Sequence, residues 1–233
     1  ITTLQKRCDW RDIAVEIIPI NQATPMMTLN KIDLLFGGGA QDHEQELVIK
    51  DLQKKKSAIT TLIEKDTPAL FVCGAPQLMG NYYEPAVGTR IEGLGIFDMV
   101  SKHPGSDQPR LIGNLVAEVT APAIQTTQLL VGFENHGGRT YLGEKALPFA
   151  KVIKGFGNNG EDGTEGVVYK NAIGCYLHGP LLPKNPEIAD HLIKTALEVK
   201  YKKKITLKQL DDALEKKANE AILKKLDVSH IAK

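Results

Sequence analysis

Three short apolar segments of this chain each end in a turn that contains glycine or a polar side chain. They are Ile32–Phe36, Ala69–Val72 and Ile173–Leu177. A long charged segment with apolar positions at helical spacing, Asp42–Glu64, separates the first two and predicts a helix. Buried strands that alternate with helices form mostly parallel sheets, covered on each side. The pattern predicts an α/β fold: a mostly parallel sheet with helices on both faces.

The rest of the chain continues this pattern without a linker. We predict further helices at Ile1–Trp10, Glu187–Val199 and Thr206–Leu226, and further strands at Val15–Pro19, Arg110–Thr120, Gln128–Phe133, Phe149–Phe156 and Val167–Tyr169. Because α/β sheets usually open with a strand, we expect a short N-terminal strand to be missing. The absence of repeats and low-complexity linkers predicts one domain, 1–233.

The C-terminal end of that domain is rich in lysine. Residues 200–233 contain ten Lys and five Asp or Glu, a local net charge of 10 − 5 = +5. Apolar residues recur at helical spacing there, which predicts an amphipathic helix over 204–233. A helix docked on its own domain is favoured over a surface for an anionic partner.

Composition excludes several classes of protein. With 29 basic and 28 acidic residues, the net charge is +1, which argues against nucleic-acid binding. No apolar run approaches the roughly 18 residues of a transmembrane helix. Three cysteines are an odd number, which argues against a disulfide framework and favours the cytoplasm.

Cys73 is the strongest candidate for chemistry. An apolar strand delivers it into a turn with Gly74, and a helix is predicted to follow, which is the pattern of a nucleophile elbow. A cysteine at a helix N-terminus has its thiolate stabilised, so we expect a lowered pKa. A small buried cysteine at a strand end fits this local pattern equally well.

His178 is the natural partner of Cys73, since it also ends a strand. If the two strands are parallel, both residues lie at one edge of the sheet as nucleophile and general base. Gly38 and Gly39, with the N–H of Gly74, suit an oxyanion hole. The glycine run lacks the Gly-Lys-Ser/Thr ending of a nucleotide P-loop, and a tight turn is the structural alternative.

Two further segments look suited to binding. Arg110 opens a strand, and the short polar loop 134–140 follows another. We therefore expect Asn135 and His136 to contact a ligand, although a hydrogen bond from His136 to the backbone fits equally well. The three cysteines are too scattered to suggest a metal site, and we predict none.

With these residues in place, the chain resembles the class I glutamine amidotransferases of the cobyric-acid-synthase type. Within that group it is similar to the small glutaminase subunits of lipid II isoglutaminyl synthases. The stretches that carry the resemblance are Phe36–Asp42 (FGGGAQD), Cys73–Gln77 (CGAPQ), Ile91–Gly95 (IEGLG), Gly132–Thr140 (GFENHGGRT) and Tyr176–Asn185 (YLHGPLLPKN). The fold implied is the flavodoxin-like fold of that class.

The resemblance implies an activity and a partner. Such a subunit hydrolyses L-glutamine, with Cys73 as nucleophile and His178 as base. Arg110 would bind the substrate carboxylate, and Gln77 matches the glutamine four residues after the nucleophile. Ammonia would pass to a Mur-ligase-like synthetase subunit in a heterodimer, which amidates D-glutamate of lipid II. No cofactor is expected in this chain, whereas ATP and Mg²⁺ are expected on the partner.

The chain departs from the wider class after the histidine. Many class I members have a glutamate two residues later, where this chain has Pro180. We expect His178 to act in a dyad or to be oriented by a carboxylate of the partner. Three other functions remain open: a cobyrinate-type amidotransferase, a cysteine hydrolase of a related fold, and a non-catalytic scaffold for a ligase.

Overall fold

The computed structural model describes residues 1–39, 42–105 and 107–228. The helices are α1 (Thr2–Asp9), α2 (Asp42–Glu64), α3 (Gly74–Met79), α4 (Leu181–Lys184), α5 (Pro186–Tyr201) and α6 (Ala213–Lys225). The strands are β1 (Leu35–Gly37), β2 (Ala69–Val72), β3 (Tyr82–Glu84), β4 (Ile91–Glu92), β5 (Met99–Lys102), β6 (Leu111–Val119), β7 (Leu130–His136), β8 (Arg139–Leu142), β9 (Ala150–Lys154), β10 (Thr164–Glu165), β11 (Val167–Tyr169) and β12 (Ala172–Cys175). A 3-10 helix spans Met26–Lys31.

The sheet that carries the predicted nucleophile has the order β1-β2-β12-β11. β2 pairs in parallel with β1 on one side and with β12 on the other, and β11 closes the sheet by antiparallel pairing. The register sets Phe71 opposite both Gly37 and Gly174. The carboxyl ends of β1, β2 and β12 therefore meet at one edge.

Successive side chains of β2 point to opposite faces of this sheet, and each face is covered by helices. Ala69 and Phe71 lie in a core cluster with residues of α2, such as Ile59 and Ile63. Leu70 lies in a second cluster with residues of α5, such as Leu192. The predicted α/β class with helices on both faces is confirmed.

Two further sheets surround the parallel strands. One has the order β10-β9-β6-β7 with antiparallel pairing throughout, and the other has the order β4-β3-β5-β8. An antiparallel bridge between Phe133 and His178 joins β7 to the segment after β12. Helix α6 packs on β6 and β7 through a small cluster that includes Val116, Val131 and Leu223. The predicted docking of the C-terminal helix on this chain is thus observed.

Two predicted elements were wrong, one in its existence and one in its extent. Val15–Pro19 forms no strand, because its backbone has no ladder partner among the described residues, and Val15 and Ile17 remain exposed. The C-terminal helix begins at Ala213 rather than in the region 204–206, and residues 229–233 lie outside the described part. The chain before α6 is held by Asp212 instead, which accepts a hydrogen bond of 2.6 Å from the buried Arg7.

Candidate active site

Cys73 lies in a strained turn between β2 and α3. Its φ is +61° and its ψ is −107°, a conformation that costs a non-glycine residue on the order of 1–3 kcal/mol. The backbone N–H of Cys73 donates to the carbonyl of Cys175 at 2.8 Å, which ties the turn to β12. A strained strand-to-helix turn that holds a half-buried thiol has the form of a nucleophile elbow.

Two of the three predicted oxyanion glycines lie beside this sulfur. A Cβ added to Gly39 would lie 3.0 Å from the Cβ and 3.4 Å from the Sγ of Cys73, so a side chain at this position would crowd the thiol. The N–H of Gly74 interacts with the thiol. Gly38 is exposed, and an added Cβ there would meet no atom within 4 Å. The close approach therefore involves Gly39 and Gly74.

The expected lowering of the Cys73 pKa was wrong. Burial raises the pKa of the thiol, and the N–H of Gly74 and the Arg110 guanidinium oppose that shift only in part. Helix α3 has six residues, and its N-terminus does not offset the loss of water around the sulfur. The resting thiol is therefore protonated at neutral pH.

His178 follows β12, the strand that neighbours β2. Its backbone N–H donates to the carbonyl of Phe133, and the N–H of Phe133 donates to the carbonyl of His178, both at 2.9 Å. Burial and the neighbouring His136 lower the pKa of His178, while the charge of Glu134 raises it. The imidazole is therefore neutral near pH 7. Its Nε2 is buried without a hydrogen-bond partner among the described residues.

A cavity of about 670 Å³ contains both groups in its wall. Other predicted site residues that line it are Gly39, Gly74, Gln77, Arg110, Asn135 and His136. Gln45, Tyr83 and His103 also line it, and no motif in the sequence marks these three. The cavity thus brings together residues from the parallel sheet and from β6 and β7.

Arg110 is held at the cavity by Asn135. Its Nε donates to Asn135 Oδ1 and one terminal nitrogen donates to the Asn135 backbone carbonyl, both at 2.8 Å. Antiparallel pairing of β6 with β7 sets Ile112 opposite Asn135 and so aligns the two residues. Asn135 therefore orients the guanidinium of the exposed Arg110 at the cavity.

Gln77 and His136 belong to one buried polar network around Tyr176. Gln77 Nε2 donates to the hydroxyl of Tyr176 at 2.9 Å, and Gln45 Nε2 donates to Gln77 Oε1 at 3.0 Å. The His136 ring stacks on the Tyr176 ring at 3.6 Å, and its Nδ1 lies 2.7 Å from the carbonyl of Gly138. The hydrogen bond from His136 to backbone, left open by the sequence, is therefore present.

Two fully buried carboxyl groups lie behind the cavity, and the sequence predictions missed both. Glu134 accepts the N–H groups of Phe156 and Gly157 at 2.7 and 2.9 Å. Glu165 accepts two N–H groups just before His178. A signal existed for Glu134, because on β7 it shares the inward face with Leu130 and His136. Nothing in the two-residue strand β10 marks Glu165 as buried.

Within the described residues, no group of three or more His, Cys, Asp or Glu side chains is arranged to hold a metal ion. None of the described helices combines the length and apolar character required to cross a membrane.

Solved structures share this fold. A crystal structure of a glutamine amidotransferase aligns with a TM-score of 0.57 at 11% identity and covers 84% of this chain and 93% of that one. The glutaminase domain of Trypanosoma brucei CTPS with bound acivicin aligns with a TM-score of 0.58 at 11% identity, over 89% of each chain. At these identities the match establishes the fold of the class, as predicted.

Sequence relatives are more informative. The chain is 44% identical over 200 residues to the lipid II isoglutaminyl synthase (glutamine-hydrolyzing) subunit GatD of Staphylococcus aureus, covering 86% of this chain and 78% of the relative. The same subunit of Streptococcus pneumoniae is 40% identical, covering 79% and 69%. A probable cobyric acid synthase of Methanothermobacter thermautotrophicus is 26% identical, covering 72% and 33%.

A family model covers most of the chain. The model for the CobB/CobQ-like glutamine amidotransferase domain matches residues 1–186, which include every predicted site residue. The resemblance stated from the motifs is confirmed, together with the expected class of enzyme. The chain belongs to the CobB/CobQ-like glutamine amidotransferase family.

Proposed function

We propose that this chain is the glutaminase subunit of a lipid II isoglutaminyl synthase. It hydrolyses L-glutamine to glutamate and ammonia. A Mur-ligase-like synthetase subunit, its partner in a heterodimer, uses the ammonia to amidate D-glutamate of lipid II to D-isoglutamine in peptidoglycan synthesis. The observation that carries the hydrolytic part is one cavity lined by Cys73, His178 and Arg110. Relatives at 44% and 40% identity support the choice of acceptor.

The first half-reaction forms a thioester. His178 takes the thiol proton of Cys73, and the sulfur attacks the side-chain carbonyl carbon of glutamine. The N–H groups beside the sulfur, those of Gly39 and Gly74, stabilise the oxyanion, and Gly38 extends the same turn. Protonated His178 gives its proton to the departing nitrogen, so ammonia leaves and a γ-glutamyl thioester remains on Cys73.

The second half-reaction restores the enzyme. His178 takes a proton from water, and the resulting hydroxide attacks the thioester carbonyl. The carbon–sulfur bond breaks, the thiolate of Cys73 recovers the proton from His178, and glutamate leaves. The neutral resting states of both groups fit this cycle, because each half-reaction begins with a proton transfer to a neutral imidazole.

Substrate binding falls to the other wall of the cavity. Arg110 binds the α-carboxylate of glutamine, since a guanidinium fork matches a carboxylate. Asn135 holds that guanidinium in place. Gln77 and His136 line the remaining space and present polar edges to the substrate. ATP and Mg²⁺ bind the partner subunit, and this chain needs no cofactor for glutamine hydrolysis.

Two measurements test the proposal in sequence. Ammonia release from L-glutamine by the wild-type chain, alone and with the synthetase subunit, tests the hydrolytic function against Cys73→Ala. Mass spectrometry of lipid II incubated with both subunits, ATP and glutamine then tests the acceptor. Conversion of D-glutamate to D-isoglutamine supports the proposal; ammonia release without any change of lipid II would leave a glutaminase but overturn the acceptor.

A further inference from the structure

The segment that carries His178 leaves its sheet before it reaches the cavity. Parallel pairing of β12 with β2 ends at Cys175, whose register partner is Val72. The next three residues, Tyr176, Leu177 and His178, therefore need other partners for their backbone N–H groups. The placement of the imidazole depends on what those partners are.

One buried side chain supplies the partner for two of the three. Glu165 Oε1 accepts the N–H of Tyr176 at 2.8 Å and the N–H of Leu177 at 3.0 Å. The N–H of His178 then goes to the carbonyl of Phe133 on β7. Consecutive N–H groups that converge on a single oxygen fix the backbone between them.

The other side of the segment is closed by β7. A Cβ added to Gly132 would lie 2.5 Å from a methyl carbon of Leu177 and 3.2 Å from the carbonyl oxygen of His178. The segment is therefore confined between Glu165 on β10 and the backbone of β7. We infer that Glu165 is a positioning residue that sets the place of the His178 imidazole relative to Cys73.

Glu165 acts through its shape and its acceptor oxygen rather than through charge. It is fully buried, and its Oε2 has no hydrogen-bond partner among the described residues. Burial, with the charge of Glu134 nearby, raises the pKa of Glu165 to about 8, so the side chain is a neutral acid at pH 7. Glutamine is neutral and of equal length, and it keeps the accepting oxygen.

Glu165 is also connected, through Tyr176, to α3, the helix that follows Cys73. The Tyr176 hydroxyl accepts from Gln77 of α3 at 2.9 Å and lies 2.8 Å from the hydroxyl of Thr140. Holding the backbone of Tyr176 therefore holds the ring that Gln77 contacts. Glu165 therefore stabilises both the backbone that leads to His178 and the Tyr176 ring that contacts the helix after Cys73.

Three variants separate positioning from simple stability. Glu165→Gln keeps the acceptor, Glu165→Ala removes it, and Glu165→Asp withdraws it by one methylene. The matched control is Asn219→Ala: Asn219 is also fully buried and donates to the backbone carbonyls of Leu129 and Lys184 at 2.9 and 3.1 Å, but it makes no hydrogen bond to residues 164–166 or 176–178. Unfolding in urea reports the stability of each variant.

This inference rests on the proposed glutaminase function, and the steady-state assay is chosen accordingly. We expect Glu165→Ala and Glu165→Asp to lower kcat for glutamine by about 10²-fold, as for a misplacement of about 1 Å, with KM unchanged. We expect Glu165→Gln to retain the kcat of the wild type. We expect Asn219→Ala to lose stability and keep kcat. A folded Glu165→Ala with native kcat, or an equal loss of kcat in Asn219→Ala, would overturn the inference.

Amide exchange gives a readout that does not depend on activity. We expect the N–H groups of Tyr176 and Leu177 to exchange slowly in the wild type and in Glu165→Gln. In Glu165→Ala or Glu165→Asp they should exchange fast, while those of Phe156 and Gly157, held by Glu134, stay protected. Fast exchange of Tyr176 and Leu177 in the wild type would overturn the positioning role, even if neither shortened variant folds. An inactive wild type with slow exchange would instead overturn only the proposed function.

Discussion

The two walls of the cavity come from sheets of opposite construction. Cys73 and His178 follow β2 and β12, neighbours in a parallel sheet, whereas Arg110 immediately precedes β6 and Asn135 lies on β7, its antiparallel partner. Parallel strands bring their carboxyl ends to one edge, so position in the sheet alone delivers two reactive groups. The antiparallel pair delivers groups by register, with Arg110 fixed by hydrogen bonds to Asn135. The first wall, with Cys73 and His178, is suited to chemistry and is called the chemical wall below. The second, with Arg110 and Asn135, is suited to binding and is called the binding wall.

Replacing Cys73 should have the largest effect of all the variants, and the effect should be on kcat, which depends on the chemical wall. We expect Cys73→Ala to lower the kcat for glutamine by at least about 10³-fold, because no thioester can form. The free energy of unfolding should change by less than about 1 kcal/mol, since the side chain is small and half-buried. Ammonia release and urea unfolding measure the two quantities.

A matched cysteine controls for this result. Cys8 in α1 is buried and does not line the cavity. Cys8→Ala should keep full activity. Native ammonia release from Cys73→Ala would end the assignment of this wall to chemistry.

The binding wall should respond in KM. We expect Arg110→Ala to lower kcat/KM for glutamine by about 10- to 10²-fold, mainly through KM, because a charged hydrogen bond to the carboxylate is lost. Asn135→Ala should cost less, since Asn135 acts through Arg110. Arg90, which stacks on Tyr82 at 3.6 Å and does not line the cavity, provides the control variant Arg90→Ala. A loss confined to kcat in Arg110→Ala would break the division between the walls.

The pH dependence of Cys73 sharpens the account of the chemical wall. Because burial raises the pKa of Cys73, its alkylation by iodoacetamide should accelerate steadily with rising pH and show no plateau near neutrality. Because the pKa of His178 is lowered, kcat/KM should decline only as the pH falls below about 6.5. Alkylation that levels off below pH 8 would indicate a resting thiolate and contradict base activation.

A further prediction concerns how the free energy of unfolding depends on pH through Glu165. The pKa of Glu165 is about 8 in the folded chain against an ordinary value of 4.5, so between these pH values the folded state holds a proton that the unfolded state has lost. The free energy of unfolding should therefore be highest below pH 4.5 for this group and fall as the pH rises through about 8. Glu165→Gln should flatten that slope in urea unfolding at several pH values, with Glu134 unchanged beside it. If Glu165→Gln left the slope unaltered, another titrating group would be responsible for the pH dependence.

Much of the chemical wall could be predicted from sequence because its signals are local. An apolar run that ends in Cys73-Gly74, and another that ends at His178, each need only a few neighbouring residues to be recognised. Their shared edge followed from parallel pairing, and helix α2 was predicted with its observed bounds. The resemblance supplied roles for Arg110 and Gln77 that no local pattern could give.

The parts that could not be predicted depend on distant contacts. The thiol pKa of Cys73 is set by burial under several elements, so a rule about one helix terminus gave the wrong direction. Glu165 lies in a strand of two residues, and its partners are 11 and 12 residues away along the chain. The C-terminal segment was predicted as a longer helix, whereas Arg7, 205 residues away, pairs with Asp212 just before α6. Pairings between residues so far apart leave no pattern among neighbouring residues of the sequence.

Acid-quenched mass spectrometry of the chain during glutamine turnover tests the central claim most directly. We expect a γ-glutamyl group on the peptide that contains Cys73, and a lower fraction of it in His178→Asn, because the base that forms the thiolate is absent. The adduct should be absent from Cys73→Ala. Steady ammonia release from the wild type with Cys73 unmodified at every time point, including rapid quench, would contradict a covalent mechanism at this residue.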